Sequence, residues 1–225
     1  ESLRRDTLRL FNITKEIKVI YNFIDFEKYP EIHSEECLRH TIAKENERII
    51  THISNFRPVK RVSDVIDIFY KIQKEIPSKL LLVGEGPDRE SIEHQVKELG
   101  ILDKVLFLGN SNEVNKLLCY SDLFLLPSET ESFGLAALEA MAARTPVIST
   151  NSGGLPEVNI QGVTGFLSNV GDTDDMAKNG IYILEDTDRL QQFKQNALAQ
   201  AKEFSLENVL PKYKEVYKEV LVDCC

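Results

Sequence analysis

At 225 residues and 42% apolar content the chain can bury a sizeable core, in one large domain or two small ones. Its 27 basic against 36 acidic residues give a net charge of -9, which argues against nucleic acid or an anionic membrane surface as the main partner. A local basic pocket for a small anion remains compatible with that balance.

The first thirty residues read as the end of another domain and a linker. "SLRRDTLRLF" has the spacing of an isolated amphipathic helix, and "EIKVIYNFIDFEKYP" reads as a strand running into a turn-rich segment. The first residue is Glu, not Met, so the chain is expected to begin inside a longer protein. No signal peptide and no apolar run long enough to cross a bilayer is evident, and the expected location is cytoplasmic.

From 31 to 205 the sequence reads as one domain. Short β-branched and apolar runs at 48–54, 79–84, 104–109, 122–127, 146–150 and 165–169 each stop at a turn former or polar residue, the signature of strands. Segments with helical spacing lie between them at 62–76, 88–100, 113–121 and 133–143, the second closing on Gly100. The strand runs are continuous apolar blocks, so both faces of the sheet should be covered. Their alternation with helices predicts an α/β fold with a doubly wound parallel sheet. Ligands bind beyond the carboxyl ends of the strands in such sheets. The chain then turns helical, over about 172–185 and 188–203, and residues 206–225 read as a final crossover helix and tail.

The four cysteines, Cys37, Cys119, Cys224 and Cys225, show neither metal-ligand spacing nor a disulfide framework. Cys119 reads as a core residue. His33, His40, His52 and His94 are scattered, and His52, inside a strand, reads as a packed core histidine. No nucleophile motif is present.

The segment "ETESFGLAALEAMA" carries the strongest chemical signal. From Phe133 to Ala143 it is apolar or glycine except for Glu139, and Glu131 stands eight positions before that residue. A buried carboxylate without a donor is costly. Between the two acids, the amides of Ser132, Phe133, Gly134 and Leu135 would be free at a helix start, where the macrodipole favours an anion. An acid, an anion socket and a second acid suit an elongated ligand with hydroxyls at both ends and phosphate between: a nucleotide sugar. Glu139 as the exposed edge of a buried helix and Glu131 as a loop charge are also compatible with the spacing.

Three further loops fall at the same end of the sheet. "SNFRPVKRVSDV" packs Arg57, Lys60 and Arg61 after the first strand, where a cationic pair would clamp a diphosphate. "VGEGPDRE" ends the next strand at Gly84 without the third glycine of a dinucleotide fingerprint. "FLGNSNE" places Leu108 and Gly109 where backbone groups would meet a flat base. "NSGGLPEV" offers glycines for a close approach to phosphate. Each is also compatible with a plain turn.

Together these motifs resemble the donor-binding half of a retaining glycosyltransferase of the GT-B fold, the group 1 or Glu-x7-Glu family. Glu131 and Glu139 match its signature, and "GEGP", "FLG", "TPVIST", "GGLPEV" and "GVTGFL" recur in the expected order. The wording of "ISNFRPVKRVSDVIDIF" and "VLFLGNSNEVNKLL" looks closest to members that move N-acetylglucosamine from UDP to L-malate in bacillithiol biosynthesis. The resemblance implies that Glu131 meets the sugar hydroxyls, Glu139 the ribose hydroxyls, and Lys60 and Arg57 the departing diphosphate. Ser132, Phe133, Gly134 and Leu135 would hold that diphosphate, with Gly84, Leu108 and Gly109 also on the donor. Asn55 stands where many relatives place Arg, which makes Arg57 a substitute. No metal or other cofactor is expected.

The family needs two Rossmann-like domains, so the resemblance also implies a missing N-terminal domain as partner, beside the UDP-sugar and a small acceptor. Homo-oligomerisation is left open. A UDP-sugar epimerase of the same architecture and a non-catalytic nucleotide-binding module are the alternatives.

Overall fold

A computed structural model describes residues 1–29 and 39–222. The expected domain boundary at residue 31, together with His33, Cys37, Cys224 and Cys225, lies outside the described residues.

Every apolar block expected to be a strand forms one. β1 (Arg48–Ile53), β2 (Ser78–Val83), β3 (Val105–Gly109), β4 (Leu123–Leu126), β5 (Val147–Thr150) and β6 (Gly165–Ser168) build one sheet. Its order is β3-β2-β1-β4-β5-β6 and every pairing is parallel. Successive strand residues point to opposite faces, and both faces are covered, which explains the unbroken apolar runs. Ile50, Leu80, Leu82, Leu123, Leu125 and Ile148 enter one core. Phe124, Leu126 and Val147 enter a second on the other face, and Ile49 and Leu81 a third, smaller one beside it.

The helices follow the same logic. After the isolated α1 (Ser2–Leu10) and the short α2 (Arg39–Ile42), α3 (Val62–Glu75) buries Val62, Val65, Ile66, Phe69 and Ile72, a 3.6-residue stripe. The next helix, α4 (Arg89–Glu98), joins α3 on that face and ends as expected at Gly100. There the amides of Gly100 and Ile101 return to the carbonyls of Lys97 and Val96, the paired bonds of a Schellman cap. On the opposite face lie α5 (Val114–Tyr120), α6 (Leu135–Ala142) and the short α7 (Leu155–Val158). Carboxylate caps start α8 (Thr173–Leu184) and α9 (Thr187–Lys202), where Asp172 accepts from the amide of Asp175 and Asp186 from that of Arg189. The final helix is α10 (Leu206–Val222).

Two expectations fail locally. The strand expected from residue 16 onward does not form: residues 12–23 carry no helix or strand, and Ile24 makes a single bridge to Ser205. The segment is anchored instead at the turn before α10, where Ile24 receives the amide of Leu206 and donates to the carbonyl of Phe204. Strand propensity needs a neighbouring strand to pair with, and the sheet ends at β3 and β6. Cys119, expected in the core, is half-buried and flanks the second core. His52 is fully buried, as read.

Candidate functional site

The chain runs outward from β1 to β2 and β3, then returns to β4 on the opposite side of β1. The order therefore reverses between β1 and β4, the switch point at which sheets of this kind bind ligands in a crevice beyond their carboxyl ends. Lys60 comes from the loop after β1 and Glu131 from the loop after β4. Lys60 Nζ donates to Glu131 Oε1 at 2.5 Å, with both side chains largely covered. The backbone reinforces the contact, because the amide of Glu129 donates to the carbonyl of Val59 at 2.8 Å.

Arg57 lies one short 3-10 turn ahead of Lys60, at the N-cap of Pro58–Lys60. It is exposed and makes no side-chain hydrogen bond or ion pair among the described residues, so it is free to engage a ligand but is not drawn to the pair. Arg61 takes a separate path. It adopts a left-handed backbone (φ 49°) and bonds Asp64 at 2.6 Å.

Beneath the loops, His52 is pinned at both ring nitrogens. Nδ1 lies 2.8 Å from the carbonyl of Leu125, which can only accept, so Nδ1 carries the proton. Nε2 then accepts from the hydroxyl of Ser54 at 2.7 Å. Burial, aided by nearby Lys60 and opposed by the Leu125 bond and Glu131, lowers its pKa to about 4. This neutral imidazole fixes the first residue of the loop that carries Lys60.

Glu131 and Glu139 do not share a helix, because α6 begins only at Leu135. Gly134 precedes it in a left-handed conformation (φ 92°) that a side chain would strain. The turn leaves the amides of Phe133, Gly134 and Leu135 without acceptors among the described residues, at the positive end of the helix. The Phe133 ring points away, stacking on Tyr21 at 5.8 Å and meeting Phe204 edge-on at 5.7 Å. Backbone, not side chain, therefore faces the crevice here. Ser132 is exposed beside it.

Along α6, Ala137, Leu138, Ala140, Met141 and Ala142 are buried, whereas Leu135 and Glu139, one turn apart, share the incompletely covered stripe. Glu139 has no hydrogen-bond donor and no cation among the described residues. Burial raises its pKa, and its charge in turn raises that of Tyr29, itself pushed up first by burial. The Glu139 carboxylate oxygens thus keep their acceptor capacity unspent among the described residues.

The remaining expected residues lie along the same rim, with more specific roles. Gly84 is buried and its amide donates to the carbonyl of Gly109 at 2.8 Å, so the pair links two loops. Leu108 is the extra residue of a bulge: Leu82 pairs with Phe107 and Val83 with Gly109. It stands 38% exposed on an edge strand without a register partner, and bulges of this kind are common next to active sites. The glycines of "NSGGLPEV" approach protein rather than open space. A Cβ on Gly153 (φ 59°) would lie 2.0 Å from the carbonyl oxygen of Glu131, and the amide of Gly154 donates to that oxygen at 2.8 Å. Sequence reasoning missed Ser128, whose hydroxyl donates to Glu131 at 2.9 Å. Its one signal was a hydroxyl residue at the carboxyl end of a strand, three positions before the acid.

A parallel α/β sheet with a switch point, a helix terminus with open amides beside it and a cation bonded to an acid there define the class: a Rossmann-like α/β protein. The profile of the family "Glycosyl transferases group 1" matches residues 34–200, and the chain belongs to that family. It is 44% identical over 99% of its length to N-acetyl-alpha-D-glucosaminyl L-malate synthase of Bacillus anthracis. It is 35% identical over 77% of its length to a trehalose synthase of Pyrococcus furiosus, covering 43% of that protein. Among solved structures, HepE of Anabaena in complex with UDP and glucose superposes with a TM-score of 0.83. That match has 28% identity and covers 90% of this chain and 57% of HepE. The chain spans 58% of the Bacillus anthracis relative, a little over half its length.

Proposed function

We propose that this chain is the donor-binding lobe of a retaining glycosyltransferase that moves N-acetylglucosamine from UDP to the hydroxyl of L-malate. The observation that carries the reading is the arrangement around α6: amides open at its start and Glu139 unpartnered among the described residues, with Lys60 against Glu131 beside them. The 44% identity to the Bacillus anthracis malate enzyme supports the particular sugar and acceptor, and the HepE complex supports UDP as carrier.

In this reading the diphosphate lies on the amides of Phe133 to Leu135. Ribose hydroxyls donate to Glu139, sugar hydroxyls meet Glu131, and the uracil lies along Leu108 and Gly109. The bond between the anomeric carbon and the β-phosphate oxygen breaks through an oxocarbenium-like state, while the acceptor hydroxyl arrives on the same face, bonds that carbon through its oxygen and passes its proton to the departing phosphate. Charge then grows on the β-phosphate. Lys60, Arg57 and the helix terminus oppose it without a divalent ion, and removing one such donor costs about 100- to 1,000-fold in rate.

The missing share of the relatives' length would supply the acceptor side of the cleft. This chain alone should bind UDP weakly and show negligible transfer. The test is mass-spectrometric product analysis of the full-length protein with UDP-N-acetylglucosamine and L-malate. Glucosaminyl malate is expected, and its formation should persist in excess chelator. A changed sugar formed without malate would point to an epimerase, and no turnover with any acceptor to a binding module.

A further inference from the structure

Glu131 receives two donors on one oxygen. Lys60 Nζ, at 2.5 Å, and Ser128 Oγ, at 2.9 Å, both bond Oε1, and Oε2 has no partner among the described residues. The Lys60 ammonium has three protons and gives one to Glu131, so a diphosphate beside it would compete with the carboxylate for the same side chain. Wherever Lys60 turns to a phosphate, Ser128 is the remaining side-chain donor to Glu131.

We infer that Ser128 is the positioning residue for Glu131, holding the carboxylate towards the sugar while Lys60 is handed over to the phosphate. The inference rests on the donor-site reading above. Ser128 is suited to this role by its own restraint. It is fully buried just beyond β4, and its carbonyl accepts from the hydroxyl of Thr150 at 2.7 Å. Thr150, at the end of β5, is fully buried as well. The Ser128 hydroxyl has one proton to give, and Glu131 is the acceptor it meets.

The main chain of Glu131 is held separately, through the amide of Gly154. One end of the residue is thus fixed by backbone and the other by Ser128, leaving Oε2 for a substrate hydroxyl. Lys60 instead reaches Glu131 from the opposite loop on a flexible four-carbon stem. It can leave without disturbing either restraint.

The handover predicts a split between two ligands. UDP lacks the sugar that Glu131 would read, whereas UDP-N-acetylglucosamine carries it. In the full-length protein, Ser128→Ala should leave UDP affinity within about twofold and weaken UDP-N-acetylglucosamine about tenfold, the scale of one hydrogen bond to a charged group. A double-mutant cycle with Glu131→Ala, read by titration calorimetry, shows whether Ser128 acts through the carboxylate. Loss of the Ser128→Ala effect in the Glu131→Ala background supports the inference. An equal loss in both backgrounds, or an equal weakening of UDP, overturns it and leaves Ser128 a packing residue. If Glu131→Ala alone leaves UDP-N-acetylglucosamine affinity unchanged, the donor-site reading of Glu131 falls, and the role of Ser128 with it.

Discussion

Glu139 carries a charge at a cost to stability that its surroundings set. Its carboxylate is half-buried beside Tyr29, has no donor among the described residues, and has its pKa raised by burial. The native state therefore holds a proton there more tightly than the unfolded chain does. The contribution of this group to stability is fullest in acid and declines as pH rises through the ordinary carboxylate range towards the raised value. Glu139→Gln removes the charge at nearly constant volume. In thermal unfolding without ligand it should be more stable than wild type at neutral pH, with the difference vanishing below about pH 4. UDP should bind the same variant about tenfold more weakly, because ribose hydroxyls lose a charged acceptor. A residue serving structure alone would not move the two measurements in opposite directions.

At the scale of elements, the site is a clasp of three loops. The loop after β1 brings Lys60, the loop after β4 brings Glu131, and the loop after β5 presses Gly153 and Gly154 against the backbone of Glu131. A methyl group at Gly153 would meet a carbonyl 2.0 Å away, on a left-handed backbone besides. Gly153→Ala should destabilise by about 2 kcal/mol, and the displaced Glu131 should weaken UDP-N-acetylglucosamine more than UDP. Calorimetry and thermal unfolding of the variant check both. The clasp also marks where sequence stopped being informative. Strands and helices were legible because their apolar spacing is local: the blocks at β1 to β6 and the stripe of α3 need no knowledge of their neighbours. Glu139 stood out for the same reason, as the one interruption of the apolar run from Phe133 to Ala143, with Glu131 as the acid ahead of it. What the segment from residue 16 onward would pair with was not legible, since strand formation there depends on a distant edge. Nor was the task of the "GGLPEV" glycines, because contact with Glu131 joins segments more than twenty residues apart. Ser128 escaped notice because a buried hydroxyl has no sequence period.

Across the whole molecule, the sheet order decides where function falls. The order β3-β2-β1-β4-β5-β6 places the reversal between the strands that feed Lys60 and Glu131. Leu108, on edge strand β3, stands three strand intervals from β4, about 14 Å away at ordinary strand spacing. A ligand reaching both ends must be long, as a nucleotide sugar is. The most direct measurement is a crystal structure of the full-length protein with UDP. The account predicts the diphosphate on the amides of Phe133 to Leu135, the ribose hydroxyls on Glu139, and Lys60 Nζ moved from Glu131 to the β-phosphate. UDP bound elsewhere, or bound with Glu139 untouched and Lys60 still on Glu131, would contradict it.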